Sequence, residues 1–365
     1  MSNFTKVIKT TILLILISCQ LGFKPTMGES NSTTDLNNEV IKDEVYKIGI
    51  MLPYGIYSDH FVNGLLDGIL TAGVEINESE NYSFSIEFVI ESEGNEFNEQ
   101  MYHYESLKSK GVQLIIGPTT SRGVYNLAPQ SSKDKIPLLS PSATSINLNI
   151  PYPINNSYDY FFRVISSDLY RVRALGSLIY SLNHKNLFVV YDKAPWAGNS
   201  TEMLINRHIQ EFTELGGTVE GFSNYEFQPD IQKIVNEIIK SQATAITVID
   251  ANPQNILSIY NGIKQNGLAI PLFTGDIIDS LLNYNQQSNS NISLNEIYGV
   301  TPSKGSVDDP YYNRFISKLI YCNNIGFCTQ GIEPVAYEDY CYDFLNQLYL
   351  YFQSLQKLKL KVKNP

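Results

Sequence analysis

Apolar and polar positions along the chain fall into two alternating patterns. Short β-branched runs without strict alternation occupy residues 47–52, 84–90, 112–116, 136–139, 187–191, 218–225, 245–249 and 272–274. Runs of that kind suit strands covered on both faces. Between most of them lie segments with helical spacing of apolar residues, at 61–72, 96–108, 168–181, 200–214, 231–241 and 254–265. Strand and helix taking turns predicts parallel α/β sheets. A Pro- and Asn-rich stretch at 147–159 precedes an apolar run at 160–165, after which the series restarts. Two Rossmann-like parallel-sheet lobes with a ligand cleft between them is the economical arrangement. Residues 46–160 with about 301–350 would form the first lobe, and 161–300 with the C-terminal tail the second. A Tyr- and Leu-rich helical pattern covers 334–358, and residues 357–363 alternate basic and apolar, which reads as a solvated helix end or short edge strand.

The N-terminus has a pattern of its own. Lys6 and Lys9 precede an apolar run at 12–17, and uncharged sequence extends only over residues 10–23. That is short for a bilayer span and suits the leader of an exported protein. The run ends in Leu16-Ile17-Ser18-Cys19, which resembles the bacterial lipobox. The expectation is a lipoprotein signal peptide at 1–19, acylation of Cys19, and anchoring to a bacterial membrane on the periplasmic side or at the cell surface. An ordinary signal cut near Gly28 is the alternative. Residues 20–45 are polar and aperiodic, as a flexible tether would be.

Composition narrows the function classes. Hydrophobic residues make up 43% and charged residues 17%, so a large core can form. A net charge of −11 repels phosphate backbones and argues against nucleic acid as a partner. Four cysteines are too few for a disulfide-built scaffold. Cys322 and Cys328 flank a Gly-containing segment, and in an exported chain a small disulfide between them is expected, leaving Cys341 as a buried thiol. No His lies near the cysteines in sequence, so no metal site is expected. Nucleophile elbow, Walker A, dinucleotide fingerprint and zincin motifs are absent from the sequence, which offers no positive sign of an enzyme or of a cofactor. His60, His103, His184 and His208 lie in mostly polar surroundings and read as solvated surface residues.

In open parallel sheets ligands gather at the carboxyl ends of strands. The segments that follow the strands here are Pro53-Tyr54-Gly55, Gly117-Pro118-Thr119-Thr120-Ser121, Ser140-Pro141-Ser142-Ala143-Thr144, 191–198, Asp250-Ala251-Asn252 and Gly275-Asp276. The first lobe supplies hydroxyls and N–H donors, and the second supplies Asp250, Asp276 and the aromatic Trp196. A zwitterion needs donors for its carboxylate, an acid for its ammonium and apolar walls for its side chain. Singly, each segment also reads as ordinary turn and cap residues.

The chain resembles the type I periplasmic binding proteins, in particular the branched-chain amino-acid (Leu/Ile/Val) receptors of ABC transporters. The opening strand at 47–52, LIIGPTTS at 114–121, LSPSAT at 139–144, LFVVYDKAPWAG at 187–198 and LFTGD at 272–276 carry the resemblance, which covers roughly residues 46–343. It implies carboxylate-binding hydroxyls at Ser121 and Thr144, an ammonium-binding carbonyl at Ser142 and acid at Asp276, and an aromatic wall at Trp196. Tyr54 and Tyr57 stand in a first loop where the family has small residues, and Glu91-Ser92-Glu93 replaces an Asp-rich turn. Relatives continue into closing strands beyond the position of 336–339, which implies a shortened second lobe here. The function implied is capture of an amino acid or similar small polar ligand for a membrane permease, with no cofactor. Alternatives are an outer-membrane lipoprotein of this fold that binds a protein partner, as penicillin-binding-protein activators do, and a sensory ligand-binding module.

Overall fold

The computed structural model describes residues 44–55, 59–79, 84–149, 159–193, 200–275, 277–287, 292–301, 308 and 310–328. Five strands form a parallel sheet in the order β2-β1-β3-β4-β5: β1 (Glu44–Leu52), β2 (Phe84–Ser92), β3 (Leu114–Ile116), β4 (Leu138–Ser140) and β5 (Phe161–Arg163). Their crossovers are α1 (Asp59–Glu78), α2 (Phe97–Ser109) and α3 (Ser121–Asp134), with a 3₁₀ turn at Ile146–Asn149 before β5. The second parallel sheet has the order β10-β9-β8-β6-β7, from β6 (Asn186–Asp192), β7 (Thr218–Tyr225), β8 (Ala245–Ile249), β9 (Leu272–Thr274) and β10 (Ile297–Gly299). Around it lie α4 (Asp168–Ser181), α5 (Ser200–Glu214), α6 (Ile231–Lys240), α7 (Pro253–Gln265) and α8 (Ile278–Gln287).

The strands without alternation are the covered ones. In β1, Ile48, Ile50, Met51 and Leu52 have no exposed surface, with Ile48 and Ile50 facing the α1 side and Met51 the α2–α3 side. Gly49 lets α2 approach, since a Cβ there would lie 3.1 Å from Leu107. In the second lobe Leu187 and Val189 join one core cluster, and Phe188 and Val190 join the one on the opposite face.

β10 and α8 fall where the sequence reading marked no element, and β5 and a further helix depart from it. β5 pairs with β4, Leu138 opposite Phe161 and Ser140 opposite Arg163, so the first sheet runs through Arg163 and the second lobe begins after it rather than at 161. A ninth helix, α9 (Pro310–Asn324), packs on α1, placing Phe315 and Leu319 in the core with Leu65 and Ile69. Arg314 pairs with Glu75, and the Tyr321 hydroxyl donates to Glu78 at 2.9 Å. Cys322 and Cys328 form a disulfide with Cα atoms 5.5 Å apart, and Cys328 Sγ lies 3.3 Å from the Thr71 hydroxyl on α1. The helical pattern at 334–358, the alternating residues 357–363 and Cys341 lie outside the described residues, as do the leader, Cys19 and the tether up to residue 43. Among the described residues no helix is long and apolar enough to cross a membrane.

Candidate functional site

The site is built from two turns at the carboxyl end of the first sheet. Gly117 opens the turn after β3 with φ +109°, and a Cβ there would run into the Met51 carbonyl, so only glycine fits. Thr120 then caps α3, its hydroxyl accepting the Gly123 N–H at 2.9 Å. From the end of β2, Glu93 reaches under this turn and is fully buried. It accepts the Thr119 N–H at 2.8 Å, the Thr119 hydroxyl at 2.6 Å, the Thr120 N–H at 3.1 Å and the Thr120 hydroxyl. Burial pushes the Glu93 carboxyl upward despite those four donors. The carboxylate therefore occupies the first donors of the turn from beneath, and the Gly123 and Val124 N–H groups go to Thr120, which leaves those of Ser121 and Arg122 for an incoming group.

The turn after β4 is tied to the first one. Ser140 Oγ donates to the Pro118 carbonyl at 2.5 Å, and Ser142 Oγ donates to the Thr119 carbonyl at 2.9 Å. Ser145 N–H donates to Ser121 Oγ at 3.1 Å, which leaves the Ser121 hydroxyl proton free to be donated onward. From β5, Arg163 Nη1 donates to the carbonyls of Ala143 and Ser145 at 2.9 and 3.0 Å, and the Thr144 carbonyl accepts the Asp168 N–H of α4 at 2.8 Å. Every neighbour of Thr144 is thus fixed, while its half-buried hydroxyl has no partner among the described residues. Sequence reasoning had named Ser121, Ser142 and Thr144, and the fold brings them together.

Tyr54 follows β1 and packs against the core beneath α1, its hydroxyl buried without a partner among the described residues. Burial first, and the Asp67 carboxylate second, push its phenol up to about 12. Asp250, after β8, is nearly buried and already used: it accepts the Tyr225 hydroxyl at 2.6 Å, Asn255 Nδ2 at 2.8 Å and the Asn252 N–H at 2.7 Å. Trp196 and Asp276 lie outside the described residues. Gly275, one residue before Asp276, faces Arg171 of α4, whose Nη1 would lie 3.0 Å from a Cβ at that position, and Arg171 pairs with Asp168 at 3.0 Å.

The family model for the ligand-binding region of receptors matches residues 69–316. The chain belongs to that family. Its fold is that of the type I periplasmic binding proteins. It superimposes on the leucine binding protein LivK of Thermotoga maritima with a TM-score of 0.63 at 21% identity, covering 82% of this chain and 80% of that one. For the branched-chain amino acid transporter substrate binding protein LivJ of Streptococcus pneumoniae, solved with isoleucine, the TM-score is 0.62 at 19% identity, covering 83% and 82%. A solute binding protein of an ABC transporter from R. palustris, solved with 4-hydroxybenzoate, gives 0.63 at 16% identity, covering 84% and 79%. In sequence, an uncharacterized protein of Methanocaldococcus jannaschii is 23% identical over 181 residues, 47% of this chain and 41% of that protein. Glutamate receptor 2.2 of Arabidopsis thaliana is 23% identical over 186 residues, 49% of this chain and 19% of the receptor. The match thus spans less than half the length of these curated relatives.

As a member of this receptor family, the protein holds its two turns with groups that motif spacing does not reveal. Arg163 is the main one missed; a lone arginine inside the apolar run 160–165 was the available signal. The reading of His208 as solvated is overturned. It sits on the inner face of α5 between Leu204 and Phe212, wholly buried, with Nε2 3.1 Å from the Thr247 hydroxyl of β8. Burial first, with the Arg171 charge adding to it, pushes its imidazole down to about 4. His103 is half-buried against Glu91 at 3.1 Å. Among the described residues no His, Cys, Asp or Glu cluster is arranged to hold a metal.

Proposed function

We propose that the protein is an extracytoplasmic solute-binding protein that captures an amino acid or similar small carboxylate. It is held on a bacterial membrane by acyl chains on Cys19 and delivers its ligand to the permease of an ABC transporter. The observation that carries this reading is the rigid pair of turns at Ser121 and Thr144. All of their surroundings are hydrogen-bonded, yet the Ser121 proton and the Thr144 hydroxyl remain available. Two hydroxyls and the orphan N–H groups of the first turn of α3 suit a carboxylate oxygen pair. Leucine, isoleucine and 4-hydroxybenzoate, named for the structural relatives, share a carboxylate and an apolar body. In this reading Asp276 meets the ligand ammonium, Ser142 offers its carbonyl, and Trp196 walls the side chain.

Ligand bridging the lobes would favour a closed form that the permease recognises. Thr144→Val keeps the shape of the side chain and removes its hydroxyl. A hydrogen bond to a charged group contributes about 1.5–3 kcal/mol, so calorimetric titration should read about ten- to a hundred-fold weaker binding, with an unchanged melting temperature. Equal affinity in wild type and variant would refute the role of Thr144. Asp276→Ala should weaken amine-bearing ligands to a similar degree and leave carboxylic acids that lack an amine unaffected.

A further inference from the structure

Arg171 has no part in the proposed capture of an amino-acid backbone, yet it stands beside the groups that would perform it. It lies in the first turn of α4, a helix whose start is tied to the first-lobe turns. Ser167 caps that start, accepting the Leu169 N–H at 3.3 Å, and the Asp168 N–H donates to the Thr144 carbonyl at 2.8 Å. Three residues on, Arg171 shares a helix face with Asp168, and its Nη2 lies 3.0 Å from Asp168 Oδ1.

Arginines on helix surfaces carry their charge out to water. This one does not: only 21% of its side chain is exposed. Its Nη1 lies 3.0 Å, and its Cδ and Cζ 3.4 Å, from the position a Cβ would take on Gly275, so glycine there makes room for the guanidinium. The charge also reaches the buried His208 of α5 and helps to hold that imidazole neutral. The guanidinium therefore meets Asp168, beside the Thr144 turn, on one side and the Gly275 turn on the other.

Those are the two turns to which the proposed function assigns the ligand's carboxylate and its ammonium. In an amino acid both groups hang from one carbon, so its side chain leaves from between the same two turns. A cation placed there selects by charge. An aliphatic side chain would strip water from the guanidinium and give it no partner, whereas a carboxylate offsets that loss with charge-assisted hydrogen bonds. A guanidinium carries five N–H donors in a planar fork, so one edge can serve Asp168 while another meets a second carboxylate. Resting on the amino-acid reading of this site, we infer that its ligand is a dicarboxylic amino acid whose side-chain carboxylate is held by Arg171.

Calorimetric titration of the full chain with L-glutamate, L-aspartate, L-glutamine, L-asparagine and L-leucine tests it, in wild type, Arg171→Gln, Arg171→Lys and Thr144→Val. Each acid and its amide share one shape, so the ratio of their affinities reads the side-chain charge alone. In wild type, one acid should bind about ten-fold or more tightly than its amide. That preference should vanish in Arg171→Gln and survive in part in Arg171→Lys, which keeps the charge and loses the fork. Thr144→Val should weaken acid and amide alike and leave their ratio unchanged. Amide or leucine bound as tightly as the acids in wild type would overturn this proposal and leave the amino-acid reading standing. So would an acid preference undiminished in Arg171→Gln. No saturable heat from any of the five, in a cooperatively melting sample, would overturn both.

Discussion

Single buried polar groups decide much of what this chain can do. His208 is neutral inside the second lobe, with its imidazole pushed down to about 4 from the ordinary 6.5. The unfolded chain takes up that proton near pH 6.5, while the folded protein resists it down to about 4. Stability from this group is therefore full above pH 6.5, falls as pH drops from 6.5 to 4, and levels off below. The whole step is about 3 kcal/mol. Denaturant melts across that range should show a shallower acid decline in His208→Gln than in wild type; parallel curves would contradict the assignment. Glu93 is the counterpart in the first lobe. Glu93→Gln places an amide NH₂ where an oxygen now accepts two donors, and should cost about 1–3 kcal/mol of stability. Neither residue announces its burial by type. His208 shares the helical stripe of Leu204 and Phe212, and that spacing was the legible signal, outweighed by the polar neighbours around it in sequence.

At the scale of elements, the long covered strands were legible because two buried faces demand continuous apolar runs. The eight runs read from the pattern all fall on observed strands. β5 and β10 were harder, each three residues long at a sheet edge, and β5 carries Arg163 to hold the Ser142–Thr144 turn. α9 has apolar residues at Tyr312, Phe315, Leu319 and Cys322, a helical spacing that strand–helix alternation passes over because its partner is α1, far away in sequence. The disulfide closes the end of α9 against α1, so replacing Cys322 and Cys328 by serine should lower stability by about 2 kcal/mol. Reductant should reproduce the loss in wild type and add nothing in the variant. In α3, a Cβ at Gly123 would collide with the Glu93 carboxylate and lie 2.7 Å from Pro118. Gly123→Ala should accordingly cost about 1–3 kcal/mol, read from denaturant melts, and weaken ligand capture with it.

For the molecule as a whole, two five-stranded parallel sheets and membership of the receptor ligand-binding family make ligand capture the organising idea. The two turns that carry Ser121, Ser142 and Thr144 were legible as strand ends, because their motifs mark where β3 and β4 stop. What holds them, Glu93 and Arg163, became visible only when the fold brought residues from β2 and β5 to the same turns. The most direct measurement is thermal unfolding of the full chain titrated with common amino acids and small carboxylic acids, wild type beside Thr144→Val. Stabilisation by a ligand of the native state grows as RT ln(1 + [L]/Kd). A saturable rise in Tm for one chemical group, shifted to about ten-fold or higher concentration in Thr144→Val, is the expected result. A cooperatively melting protein whose Tm responds to none of these ligands, or responds equally in the variant, would contradict carboxylate capture at these turns.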